Sequence, residues 1–255
     1  MLKLGCRYFD FRPGMVPKAL QVVADDIYHI HTMIPGYKFS SFLCDVLTWL
    51  EANPSEIVVV DANTAGILND KTMVPSVEKL QAILASAMSD SGSTVVAGDV
   101  SDLATTYAEL ISVNKRLIFL NQEGTWSPAS KYDSYSDKAY ATTDPASVVK
   151  ALEAMNSTDQ ANYDYTVLQL QGTATNTGTK VVISAALSQS SASSPLMSTK
   201  ADFDSVTYPW ALQHVPFNLD ATGLVVLLND FVDNVQAATA AQLTLVRVNQ
   251  GKGAK

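Results

Sequence analysis

An alternation in the chain does most to limit what it can fold into. Short apolar runs rich in β-branched and aromatic residues recur at Leu4 to Phe11, Ile27 to Thr32, Ile57 to Ala62, Thr94 to Ala97, Arg116 to Asn121, Tyr165 to Gln171 and Leu224 to Phe231. Each has the length of a strand. Between them, apolar residues fall at helical spacing. Phe39, Phe42, Leu43, Val46, Leu47 and Leu50 make one stripe, which Asn53-Pro54 ends. Further stripes are Val77, Leu80, Leu84, Ala87 and Met88; Leu103, Tyr107, Leu110 and Ile111; and Val148, Val149, Leu152 and Met155 behind an Asp144-Pro145 start. Strands that alternate with helices imply an α/β fold, a parallel sheet covered by helices, as a closed eight-stranded barrel or an open doubly wound sheet. Periodicity does not choose between the two.

Two stretches break the alternation: Glu123 to Thr143, rich in Tyr, Ser and Asp, and Ser188 to Asp220, Ser-rich at first and carrying Pro195, Pro209 and Pro216. Their positions after strands suit long βα loops at a barrel mouth, and surface decoration is the plainer reading of the Ser-rich part. Neither resembles a linker, so one domain over residues 1–255 is the expectation. The Gln250 to Lys255 tail is expected to fray.

With 17 basic against 25 acidic residues and a net charge of −8, the chain has no cationic surplus with which to displace counterions from a polyanion. No nucleic-acid partner is expected. Apolar runs such as Gly223 to Leu228 are too short to span a bilayer, and Met1 to Asp10 runs into strand-like sequence where a signal peptide would have an apolar core. A soluble protein is expected. The Asn156-Ser157-Thr158 sequon and the Ser/Thr/Ala-rich composition favour an extracellular or secreted setting. Whether Cys6 and Cys44 pair is not fixed by spacing.

The polar residues with chemical potential sit at the ends of the apolar runs. Period-two alternation in Tyr8-Phe9-Asp10-Phe11-Arg12 puts Asp10 and Arg12 on one face and the two phenylalanines on the other. An ion pair that serves only structure is the plain alternative. In Ile27-Tyr28-His29-Ile30-His31, two of the three histidines share a face, as suits acid-base work near neutral pH. Core histidines are the alternative, and no third clustered His or Cys completes a usual zinc set. Asp61 and Asn63 close the next run, followed by Asn121 and Gln122, by Gln169 and Gln171 on one face, and by Asp230. An active site assembled from several strand ends has this pattern.

Gly5 to Arg12, Ile27 to His31, Phe42 to Leu50 and Asn53-Pro54-Ser55-Glu56-Ile57-Val58-Val59-Val60-Asp61 together resemble the X domain of the phosphatidylinositol-specific phospholipases C, the metal-independent bacterial branch most of all. The resemblance implies a TIM-type (β/α)8 barrel and a phospholipase C-like phosphodiesterase that cleaves a phosphatidylinositol-like lipid by acid-base catalysis. By it, His31 protonates the leaving oxygen, Arg12 takes the electrostatic place of a metal, and Asp10 orients or polarises the site. Asp61 and Asn63 face the inositol or support the histidines, Gln169 and Gln171 line the headgroup pocket, and Asp230 supports the general base. No metal or other cofactor is implied. The partners are a phospholipid or inositol-phosphate headgroup and, transiently, a membrane surface.

Two departures from the pattern bear on activity. The family's first histidine, its base, lies on a strand upstream of the Gly5 to Arg12 motif, where this chain has Met1 to Leu4; a barrel missing its first strand is therefore expected. Thr32 also follows His31 where a glycine is usual. Two alternatives stay open: a catalytically impaired module that binds the headgroup, and a metal-dependent glycerophosphodiesterase-like enzyme built on Asp10, Asp61 and Asp230. The role of His29, including that of a substitute base, is open as well.

Overall fold

The computed structural model describes residues 1–16, 26–31, 34–64, 71–121, 128–134, 142–156, 162–172, 195–218, 223–230 and 232–251. Thr32, Gln122, Ser157, Thr158, Phe231 and much of the two irregular stretches lie outside them. The chain packs as two compact units, one of Cys6–Ser130 with Leu2 and one of Lys131–Lys255 with Met1 and Lys3–Gly5.

The first unit runs β1 (Tyr8–Phe11), β2 (Pro13–Met15), β3 (Ile27–His31), β4 (Ile34–Lys38), α1 (Phe39–Ala52), β5 (Val58–Ala62), α2 (Val77–Ser91), β6 (Val96–Gly98), α3 (Tyr107–Ser112) and β7 (Lys115–Leu120). Strands β1, β5, β7 and β6, in that order, form a parallel sheet, with Asp10 opposite Asp61 and Val60 opposite Phe119. One face of the sheet is the core: Phe11, Val58, Val60, Ala62, Leu117 and Phe119 pack with Phe39, Phe42, Leu43, Val46, Leu47 and Leu50 of α1. Phe11 lies 4.6 Å from Phe42 and 4.9 Å from Phe39, centroid to centroid. Each large side chain so buried contributes about 1.5–3 kcal/mol, which is why the apolar stripe governs where α1 lies. Tyr8, Asp10 and Asp61 lie on the opposite face, beside the buried Val59, Ile118 and Leu120.

Helix ends follow local chemistry. Asn53 ends α1 by donating from its backbone N–H to Leu50 O and from Nδ2 to Trp49 O (2.7 Å). Arg116 of β7, buried, completes that end with bonds to Leu50 O (2.6 Å) and Asn53 O (3.2 Å) and donates to Asn114 Oδ1 (2.7 Å). Each of those carbonyls also accepts a backbone N–H, Leu50 O from Asn53 and Asn53 O from Glu56 (both 3.1 Å), so the guanidinium adds a second, charged donor at the negative end of the helix. Ser76 caps α2, which ends at Gly92 with φ 62°, a left-handed turn that favours glycine. The Leu103 to Ile111 stripe is not one helix. It splits into a 3₁₀ turn at Val100–Ala104 and α3, because Asp99 with Asp102 and Thr106 with Glu109 each form a capping box, and each box starts its own segment.

The Ile27 run is not a strand of the parallel sheet. It is the centre of an antiparallel ribbon, β2-β3-β4, with Pro13 opposite His29 and His31 opposite Ile34. Only two residues separate β3 from β4, and a link that short allows antiparallel pairing alone. Sequence reading misses β2 and β4 because Pro13-Gly14 and Pro35-Gly36 look like turn signals.

The second unit runs β8 (Tyr132–Asp133), α4 (Pro145–Asn156), β9 (Tyr165–Gln169), α5 (Pro195–Asn218), β10 (Leu224–Leu228) and α6 (Asn234–Gly251). Its parallel sheet has the order β10-β9-β8. Val148, Leu152, Met155, Leu168, Leu170, Phe203, Tyr208, Trp210, Ala211 and Leu243 form its core. The expected loop from Ser188 to Asp220 is thus a helix over most of its length, and β8 lies within the expected loop from Glu123 to Thr143. Pro209 and Pro216 read as helix breakers, yet Phe203, Thr207, Trp210 and Ala211 fall on one buried face whose packing holds α5 together. Residues 250–251 belong to α6, and the remainder of the expected frayed tail lies outside the described residues.

Among the described residues, strand pairing gives two open parallel sheets and one ribbon. The α/β class follows; closure into a barrel is not seen. No described helix is long and apolar enough to cross a membrane.

Candidate active site

The carboxyl ends of parallel strands are where an α/β fold gathers polar groups, because the loops leave the sheet there. In the first unit Asp10 is the third residue of β1, and Arg12 follows the strand. Asp61 lies next to the end of β5, and Asn63 follows it. Asp61 and Asn63 are buried, 2% and 5% exposed.

These side chains hold one another. Arg12 Nη2 donates to Asp10 Oδ2 at 2.8 Å and Nε to Oδ1 at 3.5 Å, a two-pronged ion pair with each partner about a quarter exposed. Asn63 Nδ2 donates to Asp10 Oδ1 at 3.0 Å. Tyr8 donates its hydroxyl to Asp61 Oδ2 at 3.1 Å, and its place two residues before Asp10 on the same face is the signal that finds it. The opposite ends of the same strands carry a different pair: Arg7 Nε donates to Glu56 at 2.8 Å and lies over the Trp49 ring at 4.3 Å. That bond holds the Glu56 carboxyl below its usual range.

The ribbon brings the imidazoles. The Arg12 backbone N–H donates to His29 Nδ1 at 3.2 Å, and Ile30 N–H donates to Arg12 O at 2.9 Å. Phe11 sets its ring edge-on to His29 at 5.3 Å. Burial pushes the His29 pKa below its ordinary value; Asp10 opposes the shift, while Arg12 and His31 add to it. His31 is exposed, two residues further along the same strand. The structure therefore gathers Asp10, Arg12, His29 and Asn63 into bonded contact, joins Asp61 to Tyr8, and leaves His31 exposed at the end of β3 that connects to β4. A guanidinium held by a carboxylate can stabilise charge on a phosphate, and an exposed imidazole can transfer a proton to a leaving oxygen.

Gln169, Gln171 and Asp230 belong to the second unit. Gln169 ends β9 and donates from Nε2 to Ser134 Oγ at 3.1 Å. Gln171, half-buried, lies two residues on, and its Oε1 is enclosed with no partner. Asp230 is exposed beyond the end of β10. Asn121 follows β7; it is buried, its backbone N–H donates to Ser130 Oγ at 3.1 Å and its O accepts from Ser130 N–H at 2.9 Å. Cys6 and Cys44 are unpaired thiols, both raised in pKa by burial. Among the described residues no three His, Cys, Asp or Glu side chains gather where they could hold a metal ion.

No protein-family model matches the chain, and no curated protein matches its sequence. Among solved structures it is similar to the H258Y mutant of the phosphatidylinositol-specific phospholipase C from Staphylococcus aureus, with a TM-score of 0.53 and 15% identity over 93% of this chain and 79% of that one. At that identity the likeness is one of architecture, and the chain has a phospholipase C-like α/β fold.

Proposed function

We propose that this chain is a phosphodiesterase acting on a phosphatidylinositol-like phospholipid, with Arg12 in the electrostatic role that a metal fills elsewhere. The observation that carries the reading is the Asp10–Arg12 pair, fixed at the carboxyl end of a parallel strand with Asn63 behind it and two imidazoles on the adjoining ribbon. The fold shared with a phospholipase C supports it. In this reading the inositol 2-hydroxyl forms the new bond to phosphorus as the bond to the glycerol oxygen breaks, its proton passing to solvent. Arg12 stabilises the negative charge that builds on the phosphoryl oxygens, Asp10 aims the guanidinium, and His31 gives a proton to the departing glycerol oxygen. Asp61 and Asn63 support that group, and Gln169, Gln171 and Asp230 are carried over from the family resemblance as substrate-binding residues. The proposal treats residues 1–255 as one barrel-type domain. It extends to an extracellular setting, on the sequon and the composition, and to transient contact with a membrane surface.

The test is release of water-soluble inositol phosphate from phosphatidylinositol vesicles by the purified chain. Replacing Arg12 or His31 by Ala is expected to slow release by about 10²-fold or more, within the range for a lost acid or charge-stabilising donor. Headgroup binding without turnover in the folded parent chain would favour the impaired binding module instead.

A further inference from the structure

We infer that His29 is a positioning residue whose Nδ1 accepts the Arg12 backbone N–H and so fixes the arginine that faces the phosphate. Its catalytic meaning rests on the phosphodiesterase reading above.

The bond answers a local need. The β1–β5 ladder ends at Phe11 opposite Ala62, so the N–H of Arg12 has left the sheet. Pro13 follows and holds Arg12 in an extended conformation, with its peptide plane set towards the ribbon. The register that puts Pro13 opposite His29 brings Nδ1 within 3.2 Å of that N–H, while Ile30 N–H takes Arg12 O at 2.9 Å. Both backbone groups of Arg12 are thus tied to β3, and its side chain is tied to Asp10. Gly36 of β4 lies against the other side of His29, where an added Cβ would sit 3.4 Å from His29 O and 3.6 Å from Cδ2.

An Nδ1 that accepts a backbone N–H carries no proton, so the neutral ring holds its proton on Nε2. This ring cannot serve as a substitute base: Nε2 is already protonated, and protonating Nδ1 sets two donors against each other and releases Arg12. Of the two ribbon histidines, proton transfer falls to His31. The charged and titratable groups facing His29 are Asp10, which favours protonation, and Arg12 and His31, which oppose it together with burial. Acidification therefore removes the alignment of Arg12 at a pH below the ordinary imidazole range.

Imidazole nitrogen NMR of the parent chain, run beside turnover of phosphatidylinositol vesicles by His29→Asn, His29→Gln and His29→Ala, tests this. Asn places an acceptor where Nδ1 is, and Gln places one where Nε2 is. Expected are an unprotonated Nδ1 at neutral pH, His29→Asn within about tenfold of the parent, and His29→Gln and His29→Ala slower by about 10²-fold, the scale for a misaligned catalytic group. The acidic limb of the parent's pH profile that belongs to His29 should vanish in His29→Asn. A protonated Nδ1, or a folded His29→Asn as slow as His29→Ala, overturns the inference. If the parent turns over no lipid, the phosphodiesterase reading falls. The nitrogen signal then decides alone: an unprotonated Nδ1 whose protonation shifts the Arg12 amide supports the positioning bond, and a protonated one overturns it.

Discussion

Arginine and lysine are not equivalent at position 12. The guanidinium reaches Asp10 through two nitrogens held in one plane, whereas an ammonium on a flexible stem cannot keep both contacts. Arg12→Lys should therefore retain the fold and lose turnover by about 10²–10³-fold, measured as initial rates on phosphatidylinositol vesicles with circular dichroism as the control for folding. His29 makes a second prediction. Its folded pKa lies below the unfolded one, so the folded state favours the neutral ring. That contribution to stability is complete above the ordinary imidazole range and is lost as pH falls through it towards the lower folded value. Urea unfolding between about pH 8 and pH 5 should show the parent losing more stability on acidification than His29→Asn does. The Asp10–Arg12 pairing was legible in the sequence, because period-two alternation puts both residues on one face. The His29–Arg12 bond was not, since it depends on the register of β2 against β3, and Pro13-Gly14 disguises β2 as a turn.

The best-specified element is α1, whose six buried apolar residues are those the spacing of the sequence picks out. Leu47 is fully buried, so Leu47→Ala should cost about 2–5 kcal/mol by urea denaturation. Thr106→Ala should cost about 1 kcal/mol, because Thr106 Oγ1 accepts from Glu109 N–H and is the cap that makes α3 a separate helix. Where the sequence misleads, competing signals are the cause. The ribbon contains prolines and glycines that normally mark turns, and α5 contains Pro209 and Pro216 in a stretch whose helical period shows at Phe203, Thr207, Trp210 and Ala211. Tertiary burial overrides both signals.

For the whole molecule, alternation of strand and helix was enough to specify an α/β architecture, and the chain forms two parallel sheets, while the Ile27 run pairs antiparallel in the ribbon instead. Barrel closure is a different matter, because it depends on strand pairings that the hydrophobic period of individual strands does not encode. The polar strand ends were legible because they interrupt otherwise apolar runs, as at Asp61 and Asn63 after Val58-Val59-Val60. Which of them touch was not, since a contact such as Asn63 to Asp10 joins residues far apart in the chain. The central claim, a phosphodiesterase in which Arg12 stands where a metal would otherwise act, is tested most directly by phosphorus NMR of phosphatidylinositol vesicles mixed with the purified chain and excess chelator. The account predicts a growing signal from a water-soluble inositol phosphate, unaffected by the chelator and abolished by Arg12→Ala. A folded chain that leaves the lipid phosphorus signal unchanged, or whose turnover stops on adding chelator, would contradict it.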